Sequence, residues 1–186
     1  MENAVAGTLI TVFFFFGLII SGMDIKAQKI PRFLSLSLLF LLLIIQTFYG
    51  VYLVLLNQTF SFYDIVFIFY KPFAGSAAGI LSFLVVRFAS GKKLGLADVW
   101  FSGSVGAFLG IYGWFFSVLI ACLFSLIWIF ALAVLRTVRL RSIKPSAAQK
   151  KDFFTTARQV KLAFIPFLTG STLAVCVFYF VSGVRL

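Results

Sequence analysis

Long stretches with no charged side chain alternate along this chain with short segments that carry almost all of its Lys and Arg. Residues 4–23, 33–56, 114–135 and 162–184 contain no Asp, Glu, Lys or Arg. Each reaches the roughly 20 apolar residues that an α-helix needs to cross a hydrocarbon core about 30 Å thick. These four stretches predict membrane-spanning helices. Between them lie two weaker candidates: 72–88, with Pro72 in the first turn, where its missing N–H costs nothing, and 99–113. The expectation is an all-α, polytopic membrane helix bundle of about six transmembrane helices, forming one membrane-embedded domain over residues 1–186. Residues 60–70, which contain Asp64 and precede Lys71, fit either an interfacial helix or an extension of the third span.

Small residues recur at helical spacing in the two weaker segments. Ala74/Ala78 and Gly75/Gly79 stand four apart, and Gly103, Gly106, Ala107 and Gly110 follow in the next segment. Such small-xxx-small spacing lets membrane helices approach closely, so these two spans are expected to meet in the interior of the bundle.

The basic residues set an orientation. Lys26, Lys29 and Arg32 follow the first span, Arg87, Lys92 and Lys93 the third, and the segment after the fifth runs from Arg136 to Lys161. Together these hold fourteen of the sixteen Lys and Arg, leaving Lys71 and Arg185 for the opposite side. Short cytoplasmic loops carry such an excess. The basic loops are therefore expected in the cytoplasm, against anionic lipid head groups, with both termini outside. The first apolar run has no basic residue before it and several after it, which fits a retained helix better than a cleaved secretory signal.

Composition narrows the function classes. The chain is 62% hydrophobic and 11% charged, against about 45–50% and about 25% in soluble domains, so a water-soluble fold is excluded. Its net charge of +11 lies between apolar runs and follows from topology, so no nucleic-acid partner is expected. There is no histidine, and Cys122 and Cys176 stand apart inside apolar stretches. Histidine triads and His-ligated metals are thereby excluded, no cofactor is expected, and the two thiols are expected to act as small apolar side chains.

Only five acidic residues remain to carry chemistry, and Glu2, Asp64 and Asp152 fall in a terminus, on the outer side and in a basic loop. Asp24 ends the first span and Asp98 precedes the fourth, so the orientation above brings both to the cytoplasmic face at similar depth. Ionisable groups at a membrane are costly to keep and suggest function. Two carboxylates held together in a partly dry site share one proton. One can then take a proton from an attacking water while the other gives a proton to the peptide group under attack. The same residues also fit a structural use, with Asp24 near Lys26 and Asp98 at a helix start that favours Asp.

The flanking residues are specific. Asp24 opens Asp24-Ile25-Lys26-Ala27-Gln28-Lys29-Ile30-Pro31, and Asp98 closes Gly95-Leu96-Ala97-Asp98, followed by Gly106-Ala107-Phe108-Leu109-Gly110. A third match is Ile165-Pro166-Phe167-Leu168-Thr169-Gly170. In order and spacing, from Asp24 to about Gly170, the chain resembles the type IV prepilin peptidases. In that family an Asp is followed seven residues on by a Pro, and a second Asp ends a Gly-x-Gly-Asp motif. The resemblance implies an aspartic endopeptidase of the cytoplasmic (inner) membrane. Asp24 and Asp98 would be its catalytic residues, and its partners pilin-like or archaellin-like precursors whose basic leader it removes. Ala97 stands where the family has its second Gly, and Trp100 where it commonly has Lys. The cytoplasmic region with paired CxxC that accompanies N-methylation in bacterial members has no counterpart, so methylation is not expected. Ala97 and Trp100 keep open a catalytically silent relative that serves as a membrane scaffold or assembly component. In a third class, a small transporter, Asp24 and Asp98 would be ion or proton sites.

Overall fold

The computed structural model describes residues 2–27, 31–56, 62–91, 94–142 and 164–182. Lys29, Lys92, Lys93, Arg185 and the basic stretch 143–163, all used above to orient the chain, lie outside the described residues, as does Asp152 within that stretch. Among the described residues every regular element is a helix: α1 (Glu2–Ala27), α2 (Arg32–Leu56), α3 (Phe62–Ala89), α4 (Leu96–Ser142) and α5 (Ile165–Ser182).

Four of these helices are long and apolar enough to cross a membrane, and the fifth has a shorter apolar stretch, Ile165–Phe180. Their outward faces are as apolar as their inward ones, with Leu18, Phe48, Val85 and Phe180 each more than two-thirds exposed. A helix that is hydrophobic all round has lipid or protein on every side. The chain is a multi-pass membrane protein. Its interior is built on Phe13, Ile20, Leu38, Leu42, Phe101, Val105, Ile165 and Leu168. At its centre the Phe13 ring stacks on Phe108, with centroids 4.9 Å apart.

α3 departs from its expected start. It begins at Phe62, ten residues before Pro72, so the proline lies inside the helix and not in its first turn. Two of the ten residues ahead of it pack on α2: a Cβ on Gly50 would come within 2.9 Å of Ile68 and 3.2 Å of Phe69. Of the two alternatives for residues 60–70, the described part, from Phe62, is an extension of the third span.

α4 is 47 residues long, and a straight helix of that length would measure about 70 Å, more than twice the hydrocarbon thickness. It is broken at Gly110, whose φ of 74° and ψ of −177° belong to a region that is essentially open only to glycine. The break is sharp. Trp114 Nε1 donates to Ser102 Oγ at 2.9 Å although the two residues are twelve apart, about 18 Å along a straight axis. The chain thus turns back on itself, and we call its two legs α4a (96–109) and α4b (111–142). Reversal frees carbonyls that would have been paired one turn later, and Gln46 of α2 donates to one of them, that of Ala107, at 2.9 Å.

α4a meets α3 backbone to backbone, as the small-residue spacing predicts. A Cβ on Gly75 would collide with the Gly106 carbonyl, and one on Gly106 with the Gly75 carbonyl. A turn away, a Cβ on Gly79 would come within 2.5 Å of the Ser102 carbonyl, and the Ser102 hydroxyl donates to the Gly79 carbonyl at 3.3 Å.

Candidate active site

One end of the bundle gathers the last turn of α1, the last turn of α3 and the first turns of α4a and α5. Asp24 and Asp98 are both there. Asp24 sits three residues before the end of α1. Its side chain is 9% exposed, and its Oδ2 is buried with no hydrogen-bond partner. Ile165, the first residue of α5, presents its backbone N–H to the Asp24 carboxylate. Asp98 is the third residue of α4, where its Oδ2 accepts the Gly95 N–H at 3.1 Å. That is the backward half of a capping box. A Cβ at 95 would stand 2.9 Å from the same Asp98 oxygen, so a larger residue there would shift the carboxylate.

The two carboxylates lie close enough for the charge of Asp24 to act on Asp98. Each also faces the start of a helix, where free N–H groups and the helix dipole favour negative charge. The sequence leads one to expect the pair at one membrane face, and the fold places them at one end of the bundle. The local structure is held by Arg87, in the last turn of α3, whose guanidinium donates to the Leu94 carbonyl and so ties the approach to α4 against α3. Phe83 of α3 and Phe164, just ahead of α5, pack with ring centroids 5.9 Å apart. Among the described residues no three of His, Cys, Asp or Glu come together as metal ligands.

The sequence model of the type IV leader peptidase family matches residues 11–130, a stretch that takes in both Asp24 and Asp98. The chain belongs to that family. A leader peptidase is a protease, and this one is embedded in a membrane through its apolar helices. No curated protein and no solved structure matches the chain. The matched stretch ends within α4b, so α5, which supplies the backbone N–H facing Asp24, is not part of it.

Several parts of this candidate site are not evident in the sequence. Arg87 reads there as one more topology charge, although a basic residue closing a helix next to a Ser-Gly turn is also a signal for capping. The Ile165–Gly170 match marks an entry into the last helix, but nothing in the sequence relates Ile165 to Asp24 or Thr169 to Ser21, because those pairs are separated by most of the chain. Ala97 is buried and lies in regular helix, so the alanine found where the family has glycine takes a conformation any residue can adopt.

Proposed function

We propose that this protein is an aspartic endopeptidase that removes the basic leader of pilin-like precursors, with Asp24 and Asp98 as its catalytic pair. The observation that carries this is the convergence of the two carboxylates, from α1 and α4a, at one end of a chain that belongs to the leader peptidase family. One carboxylate takes a proton from water as the water oxygen attacks the scissile carbonyl carbon. The other donates a proton to the carbonyl oxygen; as the tetrahedral intermediate collapses that proton returns to it, the first carboxylate gives the proton taken from water to the leaving nitrogen, and the C–N bond breaks. Asp24 Oδ2 has no hydrogen-bond partner within the protein and so keeps its acceptor capacity for the reaction.

The bundle crosses the membrane six times, with α4a and α4b as separate crossings joined at Gly110. What supports this count is the reversal marked by the Trp114–Ser102 bond. With six crossings the basic loops and both aspartates share the cytoplasmic side of the inner membrane, and both termini lie outside. A cytoplasmic site fits precursors whose leaders have not crossed the membrane.

The test is incubation of the purified protein, in detergent or bilayer, with candidate precursors, scored by the mass of the released leader. A leader-sized fragment released by the native protein and absent with Asp24→Asn or Asp98→Asn is the expected result. A protein inert toward every precursor of its own genome would favour a silent scaffold instead.

A further inference from the structure

The first turn of α5 touches the Asp24 face of α1 at three successive levels. At the lowest, Ile165 presents its N–H to the carboxylate. One turn on, the Thr169 hydroxyl lies 3.1 Å from that of Ser21 and donates to the Ile165 carbonyl at 2.9 Å. Thr169 has a single hydroxyl proton, so Ser21 is the donor in the pair and the bonds run in one direction, from Ser21 to Thr169 to Ile165. At the highest level the Thr169 methyl closes on α1, where a Cβ on Gly17 would stand 3.0 Å from it. Gly17, Ser21 and Asp24 lie on one face of α1 by helical spacing, and Ser21 and Thr169 are both buried.

We propose that Thr169 is a positioning residue for Asp24. Its hydroxyl fixes the start of α5 against α1, so that the Ile165 N–H holds the carboxylate in one orientation and leaves Oδ2 without a protein partner. This rests on the aspartic-peptidase reading given above and adds α5 to it as the third element of the site. A valine would fill the same space at 169 but would leave Ser21 without its acceptor, and would strip the Ile165 carbonyl of the hydroxyl donor that it holds beside the helix's own N–H bond. The first turn of α5 would then be free to shift, and small displacements of a catalytic group cost rate far more than they cost binding.

The test compares kcat and KM for leader release by full-length native protein, Thr169→Val, Thr169→Ser and Thr172→Val. Thr172 is the matched control, since it is equally buried and its hydroxyl donates within α5, to the Leu168 carbonyl at 2.7 Å. Thr169→Val is expected to lower kcat about ten- to a hundredfold with KM within about twofold. Thr169→Ser should restore kcat to within about threefold of native and Thr172→Val should stay within about twofold. Independently of activity, Ser21→Cys with Thr169→Cys, in a background lacking Cys122 and Cys176, should form a disulfide on oxidation, read by mass. Native kcat in Thr169→Val, alongside an inactive Asp24→Asn, would overturn the positioning role and leave the peptidase standing. An equal loss in Thr172→Val, no rescue by Thr169→Ser, or no crosslink would overturn it too. Full activity in Asp24→Asn would overturn the aspartic reading, and the role of Thr169 with it.

Discussion

Asp98 and Asp24 are presented by different backbone devices, and this decides how each should respond to substitution. Asp98 accepts the Gly95 N–H, a bond that an asparagine oxygen can also accept, so Asp98→Asn keeps the start of α4 while losing the exchangeable proton. Asp24→Asn likewise keeps shape and the acceptor facing Ile165. Each variant should stay folded in the membrane and lose at least about a hundredfold in leader release, the scale of a missing acid or base. The double variant should be no worse than either single one, because groups acting as a unit are non-additive. Activity near native in either single variant would separate that residue from the chemistry. Ala97 makes the opposite prediction. It lies in regular helix, so glycine there relieves no strain, and Ala97→Gly should change the rate of leader release by less than about tenfold, or roughly 1.4 kcal/mol. A native protein without activity that Ala97→Gly switches on would identify a peptidase scaffold disabled at this position.

At the scale of the elements, glycine-to-alanine changes should differ in sign from helix to helix, depending on what lies beside the missing Cβ. Gly75→Ala and Gly106→Ala would each push a methyl into a backbone carbonyl of the facing helix, which cannot move aside as a side chain can. Each should cost about 3 kcal/mol or more, the upper range for overpacking, and lower the melting temperature in detergent. Gly110→Ala forces a Cβ into a positive-φ conformation and against the Lys71 stem, 3.2 Å away, at about 1–3 kcal/mol of backbone strain. Gly7→Ala should be neutral or stabilising by up to about 1 kcal/mol, because nothing lies within 4 Å of the added atom. Thermal melts of the four variants check the set: an unaffected Gly106→Ala would contradict the packing of α3 on α4a, and a destabilised Gly7→Ala the open space beside α1 there.

For the molecule as a whole, the arrangement in the membrane makes a prediction that does not depend on activity. In a background lacking Cys122 and Cys176, single cysteines at Lys29, Lys92 and Gln149 should react with an impermeant label only from the cytoplasmic side. One at Asn57 should react only from outside. Cytoplasmic labelling at Lys92 and Gln149 together requires an even number of crossings between them, as α4a and α4b provide. Labelling of Lys92 from outside would part Asp98 from Asp24 across the bilayer and end the shared site.

The membrane class and the two apolar spans that become α1 and α2 were legible in the chain, because each rests on a local property. Twenty apolar residues must leave water wherever they occur, and a cluster of Lys and Arg resists crossing whatever surrounds it. The glycine spacing likewise announced a close contact between α3 and α4a, since the absence of side chains on one helical face is written in the sequence itself. Other features depend on which residues meet across space. Pro72 looked like a helix start because its missing N–H is harmless there, yet contact with α2 around Gly50 carries α3 ten residues further back. Gly110 looked like one more small residue in a glycine-rich helix. Only the tertiary structure makes it the point of reversal, with Gln46 and Trp114 taking up the polar groups on either side of the bend. The surroundings of Asp24 are the extreme case: the N–H it faces and the Ser21–Thr169 bond beside it join segments 148 residues apart. A hydrogen bond needs its two atoms within about 3 Å, and nothing in the order of residues brings Thr169 to Ser21 until α5 has packed against α1.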